Sequence, residues 1–295
     1  MASIKLFFIA LASFLSVHFF SFSQVDSLNK HKLKKFVIAE ASVYAATIVG
    51  LNAAWYGNKR EAFHFFDDSK EWLQVDKMGH LYTAYHLSRA SEKGFLWAGL
   101  SAKKSAIYGA VSGFGFMTTI EVLDAFQSEY GFSVSDLTAN TLGCGVFLGQ
   151  NLLWKEQRIK PKWSYHSTGF AKLFPNKLGD NWTNQWLKDY NGQSYWLTFE
   201  MSKFLKKDTK VFKWVNLSIG YGVQNMVNAD PVKSKQAGFE PYRQYYLALD
   251  LNFNSIKTSS KTIKTIFYIL DQIKIPAPTL EYNSEKGLLF HPLYF

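Results

Sequence analysis

The chain has 295 residues, 47% of them hydrophobic and 17% aromatic against 19% charged, with a formal net charge of +10. That length holds one large domain or two modest ones, and the balance is apolar for a soluble protein yet short of a polytopic transporter. The only cysteine, Cys144, excludes an internal disulfide and a cysteine-based metal cluster. Set between Gly143 and Gly145, it reads as a small core residue.

Met1 to Ser23 has the form of a secretory signal. Lys5 gives a basic start, Leu6 to Val17 an apolar core, and Ser21-Phe22-Ser23 small residues ahead of Gln24. An uncleaved anchor helix is the alternative, because the run approaches spanning length. His18 falls inside this segment, and no cysteine follows the apolar core to take a lipid. Export makes nucleic acid a poor partner for the basic clusters Lys30–Lys35, Lys155–Lys162, Lys203–Lys213 and Lys257–Lys264. Membrane lipids with anionic headgroups, or anionic envelope polymers, fit them better, with a solvated basic surface as the plain alternative.

Lys30 to Lys35 leads into an apolar segment, Phe36 to Tyr56, interrupted by Glu40 and Asn52 and close to the length of a bilayer span. Ala, Val, Ile and Tyr recur there without a polar face, so the helix is buried all round, in protein or lipid. Phe63 to Asp68 is expected to be a loop, with His64 exposed. A second helix is expected from about Gln74 to Glu92, then a connector from Phe95, then a third helix from Lys103 to about Phe126. Ser105, Gly109 and Gly113 recur every four residues in it, the spacing that lets two helix backbones approach closely. A fourth helix is expected to start after Ser133 or Ser135, either a suitable N-cap, and to reach Trp154.

The texture changes after Lys160-Pro161-Lys162. Trp182 and Trp186 suggest a short amphipathic helix, and strand-like alternation follows in Tyr195–Met201, Val215–Tyr221 and Tyr245–Phe253. Ile263, Ile266, Phe267 and Leu270 mark a short helix stopped by Pro276 and Pro278. Leu288 to Phe295 is a final extended piece. Four or five strands fall short of the eight that an outer-membrane barrel needs, so a small antiparallel sheet is expected, packed on the helical part or lying at a membrane surface. His166 and His291 are expected at the surface.

The residues able to do chemistry lie between Asp76 and Gly149. Asp76 and His80 stand four apart, Asp136 and Asn140 four apart, and Glu121 and Asp124 three apart, so on helices each pair shares a face. Asp76-Lys77-x-x-His80, Glu121-x-x-Asp124 and Ser133-x-x-Asp136-x-x-x-Asn140-x-x-Gly143, taken in order over Phe36 to Leu153, resemble the VanZ-like superfamily. The likeness is closer to its YfiM-like branch of predicted periplasmic lipoproteins of unknown function. It implies a small helical membrane bundle and implies no particular reaction. Asp124 stands where VanZ-like members commonly have Gln, and the region from Trp163 onward has no counterpart in them.

The expected fold is therefore α+β: a signal over residues 1–23, a membrane-associated bundle of about four helices over 30–160, and a strand-rich region over 161–295. Asp76, Lys77, His80, Glu121, Asp124, Asp136 and Asn140 are the candidate ligand-binding set. His80, Glu121 and Asp124 are the candidates for acid–base catalysis, and His80, Glu121 and Asp136 for holding a divalent metal. The same groups could instead satisfy one another as a scaffold that fixes helix register. A structural or lipid-interacting envelope role is thus set against an enzyme acting on a lipid-linked or cell-wall precursor. Ser112 lacks the preceding strand of a nucleophile elbow.

Overall fold

The computed structural model describes residues 28–55, 60–205 and 213–294; the expected signal segment, with His18, and the terminal Phe295 lie outside them. The fold is α+β, with ten α-helices and one six-stranded antiparallel sheet among the described residues. The chain divides into two compact units. One takes the chain up to Asp68 together with Thr83–Gln157, and the other takes Ser69–Tyr82 and everything from Arg158 onward.

The first unit is helical. It contains α1 (Lys30–Trp55), all but the first two turns of α2 (Val75–Trp97), α3 (Ala102–Asp124) and α4 (Val134–Trp154). The basic lead-in is already helix, because the Asn29 side chain accepts from the Lys32 amide at 2.9 Å and caps it. Likewise α2 runs on through Phe95, where a connector was expected. Phe95 is buried edge-on against Phe36, ring centres 4.9 Å apart, and that contact keeps the last turns helical. Ser101 and Ser133 cap α3 and α4, the second by accepting from the Asp136 amide at 3.0 Å. The core gathers Ala84, Tyr85, Ala106, Ala110, Phe116, Met117, Phe147 and Cys144, the last buried as expected.

The spacing of small residues in α3 has a direct structural use. A Cβ on Gly109 would stand 2.6 Å from the Ser88 carbonyl oxygen, and one on Gly113 would stand 2.8 Å from the Ser88 amide nitrogen. The backbones of α2 and α3 touch there. Among the described residues, α3 is the helix long and apolar enough to cross a membrane, by length and composition. Its outward side carries Tyr108, Val111 and Val122, while α1 turns out Val37, Ile38 and Val49 and α4 turns out Leu142, Leu152 and Leu153.

The second unit is built on β1 (Ile159–Tyr165), β2 (Gln193–Phe199), β3 (Val215–Gln224), β4 (Tyr242–Leu251), β5 (Ala277–Asn283) and β6 (Gly287–Tyr294), paired in sequence order. Six strands replace the four or five expected. The strands not marked in the sequence are β1, whose Lys160-Pro161-Lys162 reads as a break, and β5, which begins between Pro276 and Pro278, read as a helix stop. Pro161 is tolerated because β1 is the edge strand of the ladder. The two lysines point inward, Lys160 to Asp271 at 2.9 Å and Lys162 to Asp250 at 2.7 Å. Short helices decorate the connections: α5 (Phe170–Leu173), α6 (Pro175–Leu178), α7 (Trp182–Lys188), α8 (Met201–Phe204), α9 (Pro231–Gln236) and α10 (Lys261–Leu270).

Register sorts the sheet into rows. On the inner face Lys162, Trp196, Gly220, Tyr246 and Glu281 stand opposite one another, and so do Lys160, Thr198, Ser218, Ala248 and Thr279. On the outer face one row reads Trp163, Tyr195, Tyr221, Tyr245, Tyr282 and Leu288. The next reads Pro161, Leu197, Ile219, Leu247, Leu280 and Phe290. Ile159, Phe199, Leu217 and Leu249 follow, then Val215 and Leu251. The sheet curls strongly. Tyr294 of β6 stacks on Tyr246 with ring centres 4.8 Å apart and lies 5.9 Å from His166, just past β1. On the free side of β1, Trp163 exchanges backbone hydrogen bonds with Gln272 and Lys274, at 3.2 and 2.9 Å.

Candidate functional site

The expected site residues fall into both units. Asp76, Lys77 and His80 occupy the first two turns of α2, in the second unit; Glu121, Asp124, Asp136 and Asn140 belong to the first.

In the second unit, the start of α2 follows a tight turn over Glu71–Gln74 in which Trp72, Leu73 and Gln74 have φ of 48°, 48° and 71°. Three successive non-glycine residues in the left-handed region cost about 1–3 kcal/mol each and persist only where surroundings over-determine them. Here the Trp72 amide donates to the Ala229 carbonyl at 2.8 Å, and the Arg243 guanidinium donates to Gln74 Oε1 at 2.8 Å. The Tyr221 hydroxyl donates to the Leu73 carbonyl, and Leu73 packs with Val75, Val223 and Met226. The turn aims the helix start. Behind it Lys77 Nζ meets Asp76 Oδ2 at 2.9 Å, both largely buried, and His80 is partly buried. Gly79 admits the Tyr195 hydroxyl, which would stand 2.9 Å from a Cβ there.

In the first unit, Glu121 and Asn140 are fully buried, with Asn140 Nδ2 3.5 Å from Glu121 Oε1. Asp136 lies in the first turn of α4, buried beside its cap Ser133. Asp124 ends α3, half-buried. Two further acids belong to this interior and were not among the candidates. Asp68 Oδ1 accepts from Ser133 Oγ and Ser135 Oγ, each at 2.6 Å, the length of a hydroxyl-to-carboxylate bond. Loop 60–68 presents Asp68 because its backbone bonds to Ala125, Phe126 and Phe132. His64 in that loop donates to the Ala62 and Tyr130 carbonyls, which raise its pKa above the ordinary 6.5. Glu40 on α1 accepts from Ser91 of α2, from Ser112 of α3 at 2.8 Å and from Tyr44 at 3.4 Å. A lone acid in an apolar run needs such partners, and that was the available signal.

A separate cavity of about 280 Å³ opens at the aromatic-row end of the sheet, lined by His166, Tyr242, Gln244, Glu281, Asn283, His291 and Tyr294 among others. His291 Nε2 pairs with Glu281 Oε2 at 2.8 Å, while Gln244 and Asn283 both donate to Glu281 Oε1 at 2.7 Å. Burial holds the His166 imidazole below its ordinary pKa, with Asp189 and then Glu281 acting against it. Neither histidine lies free on the surface, as sequence had suggested.

Residues 63–150 match the family model described as Predicted periplasmic lipoprotein (DUF2279). No curated protein and no solved structure matches the chain. In agreement with that description, the protein is exported to the cell envelope and is membrane-associated on its periplasmic side.

Proposed function

We propose that this envelope protein has a non-enzymatic, structural or lipid-interacting role, in which the helical unit meets membrane lipid with its outside and keeps its polar groups inside. One observation carries the reading. The acids and hydroxyls of the first unit are buried and bonded to one another, while α1, α3 and α4 turn valine, leucine and tyrosine outward. Water-facing helices of a soluble bundle would carry charge there. Polar groups enclosed in apolar surroundings fix one another's geometry, so the network acts first as scaffold. On this reading the ligand-binding candidates are Asp76, Lys77 and His80 in the second unit and Glu121, Asp124, Asp136 and Asn140 in the first.

The strained turn ahead of Asp76 favours a second reading, because such strain gathers at functional sites. That reading is a metal- or acid–base-dependent enzyme acting on a lipid-linked or cell-wall precursor. His80 and Glu121, with Asp136 for a hard divalent metal or Asp124 for proton transfer, supply suitable donor chemistry.

His80→Ala and Glu121→Gln separate the two. Measured as envelope abundance and melting temperature, both variants should fall if the network is scaffold. Normal abundance, together with a stoichiometric divalent metal in the purified protein that His80→Ala loses, would overturn the structural reading.

A further inference from the structure

The sheet of the second unit is polarised the wrong way round for water. Its enclosed face holds ion pairs and hydroxyls: Lys162 with Asp250, Lys160 with Asp271, and Thr198 Oγ1 with Ser218 Oγ at 2.7 Å. Over β3–β6 its open face holds aliphatic and aromatic residues from Ile219 to Leu293, with exposure from 40% at Leu280 to 70% at Leu293. A water-exposed antiparallel sheet alternates in the opposite sense, and soluble monomers rarely show so continuous an apolar patch.

We propose that the outer face of β3–β6 is a lipid-contacting surface, seated among the acyl chains of a bilayer with anionic headgroups. Three further observations select lipid over a protein partner. The apolar residues are bounded at one end by Tyr245 and Tyr282, exposed rings with an apolar body and a polar tip that suit a headgroup boundary, while Tyr195 and Tyr221 of the same row pack under Leu73 and Val75. From that row to Leu251 is six residues along β4, about 20 Å of strand, approaching the roughly 25 Å apolar band of membrane barrels. At the other end the β4–β5 connection carries α10. Its Ile263, Ile266 and Ile269 are exposed, with Lys261 and Lys264 on the same short helix and Lys257 just before it. An amphipathic helix with lysines beside an apolar stripe lies in the plane of an anionic interface. The curl of the sheet makes this possible, because it encloses the polar face and leaves the rows outside.

This assignment concerns the second unit alone and stands whether or not the helical unit binds lipid. It is tested on the full chain with Cys144→Ala as background, reconstituted in phosphatidylethanolamine–phosphatidylglycerol vesicles. Spin labels are placed one at a time by Leu247→Cys, Leu249→Cys, Leu280→Cys and, as a water-exposed control, Lys286→Cys. The expected result is collision with oxygen several-fold more favoured over a water-soluble nickel chelate at 247, 249 and 280 than at 286. Equal ratios at all four positions would overturn the proposal. So would labels shielded from both reagents until the protein is diluted into excess lipid, which would mean that a second copy covers the face. Should the cysteine-free background fail to fold, labelling of the unmodified protein by a membrane-dissolved diazirine reads the same rows. Modification must then concentrate on β4–β6, and its absence there counts against lipid.

Discussion

Gly109 and Gly115 lie on one helix and differ only in what stands opposite them, so replacing each by alanine isolates the backbone contact of α2 with α3. At Gly115 a Cβ meets nothing within 4 Å, and Gly115→Ala should stabilise the protein by about 1 kcal/mol through helix propensity alone. At Gly109 the same gain is opposed. The new Cβ would stand 2.6 Å from the Ser88 carbonyl oxygen and 2.8 Å from the Glu92 amide nitrogen, where ordinary contact starts at 3.4 Å. Both obstacles are backbone, so the helices must part by several tenths of an ångström and loosen Ala106 and Ala110 in the core. Overpacking of this kind costs about 1–3 kcal/mol. Gly109→Ala should therefore be the less stable of the pair by about 1–3 kcal/mol, on the order of 5 °C in melting temperature for a chain of this size. Thermal unfolding of the two variants in the same detergent gives the comparison. Equal melting temperatures would refute the close approach of these helices.

Lys162→Met should destabilise by about 3–5 kcal/mol, because it strands Asp250, whose side chain is 0% exposed; adding Asp250→Leu should recover most of the loss in urea unfolding. Asp68→Ala leaves two hydroxyl donors without their acceptor and should cost about 2–4 kcal/mol, with Asp68→Asn costing less, read as the denaturation midpoint. His166 binds its proton less readily folded than unfolded, so its neutral form stabilises above pH 6.5 and that contribution drains away as pH falls below 6.5. His166→Gln should accordingly flatten the drop in melting temperature between about pH 7.5 and about pH 5.5.

The helical unit was legible because its signals are local. Ser101 and Ser133 cap where caps belong, and Gly109 and Gly113 recur at the interval that two touching backbones require. Asp68 was not legible as a partner of Ser133, since a loop acid 65 residues away gives no periodic sign of where it will dock. Sequence alternation marked β3 and β4 but not which side was inner, because alternation is symmetric between a sheet wet outside and one wet inside. Lys160 and Lys162 look like a solvated break and are instead buried against Asp271 and Asp250, partners supplied by distant chain. The candidate polar set was legible as residue types. The left-handed turn before it was not, because Trp72, Leu73 and Gln74 are poor predictors of positive φ.

The strict sequence order of the six strands has a consequence for assembly. Each strand docks on the one made just before it, so no segment must be slotted between two that are already joined, and pairing can advance like a zip with a single growing end. The loop-closure cost is then met one connection at a time rather than across the whole sheet at once. The last tooth is β6, and a nascent chain lacking it would present the rim of β5, with its ladder of unpaired amides and carbonyls, to whatever extended polypeptide came near.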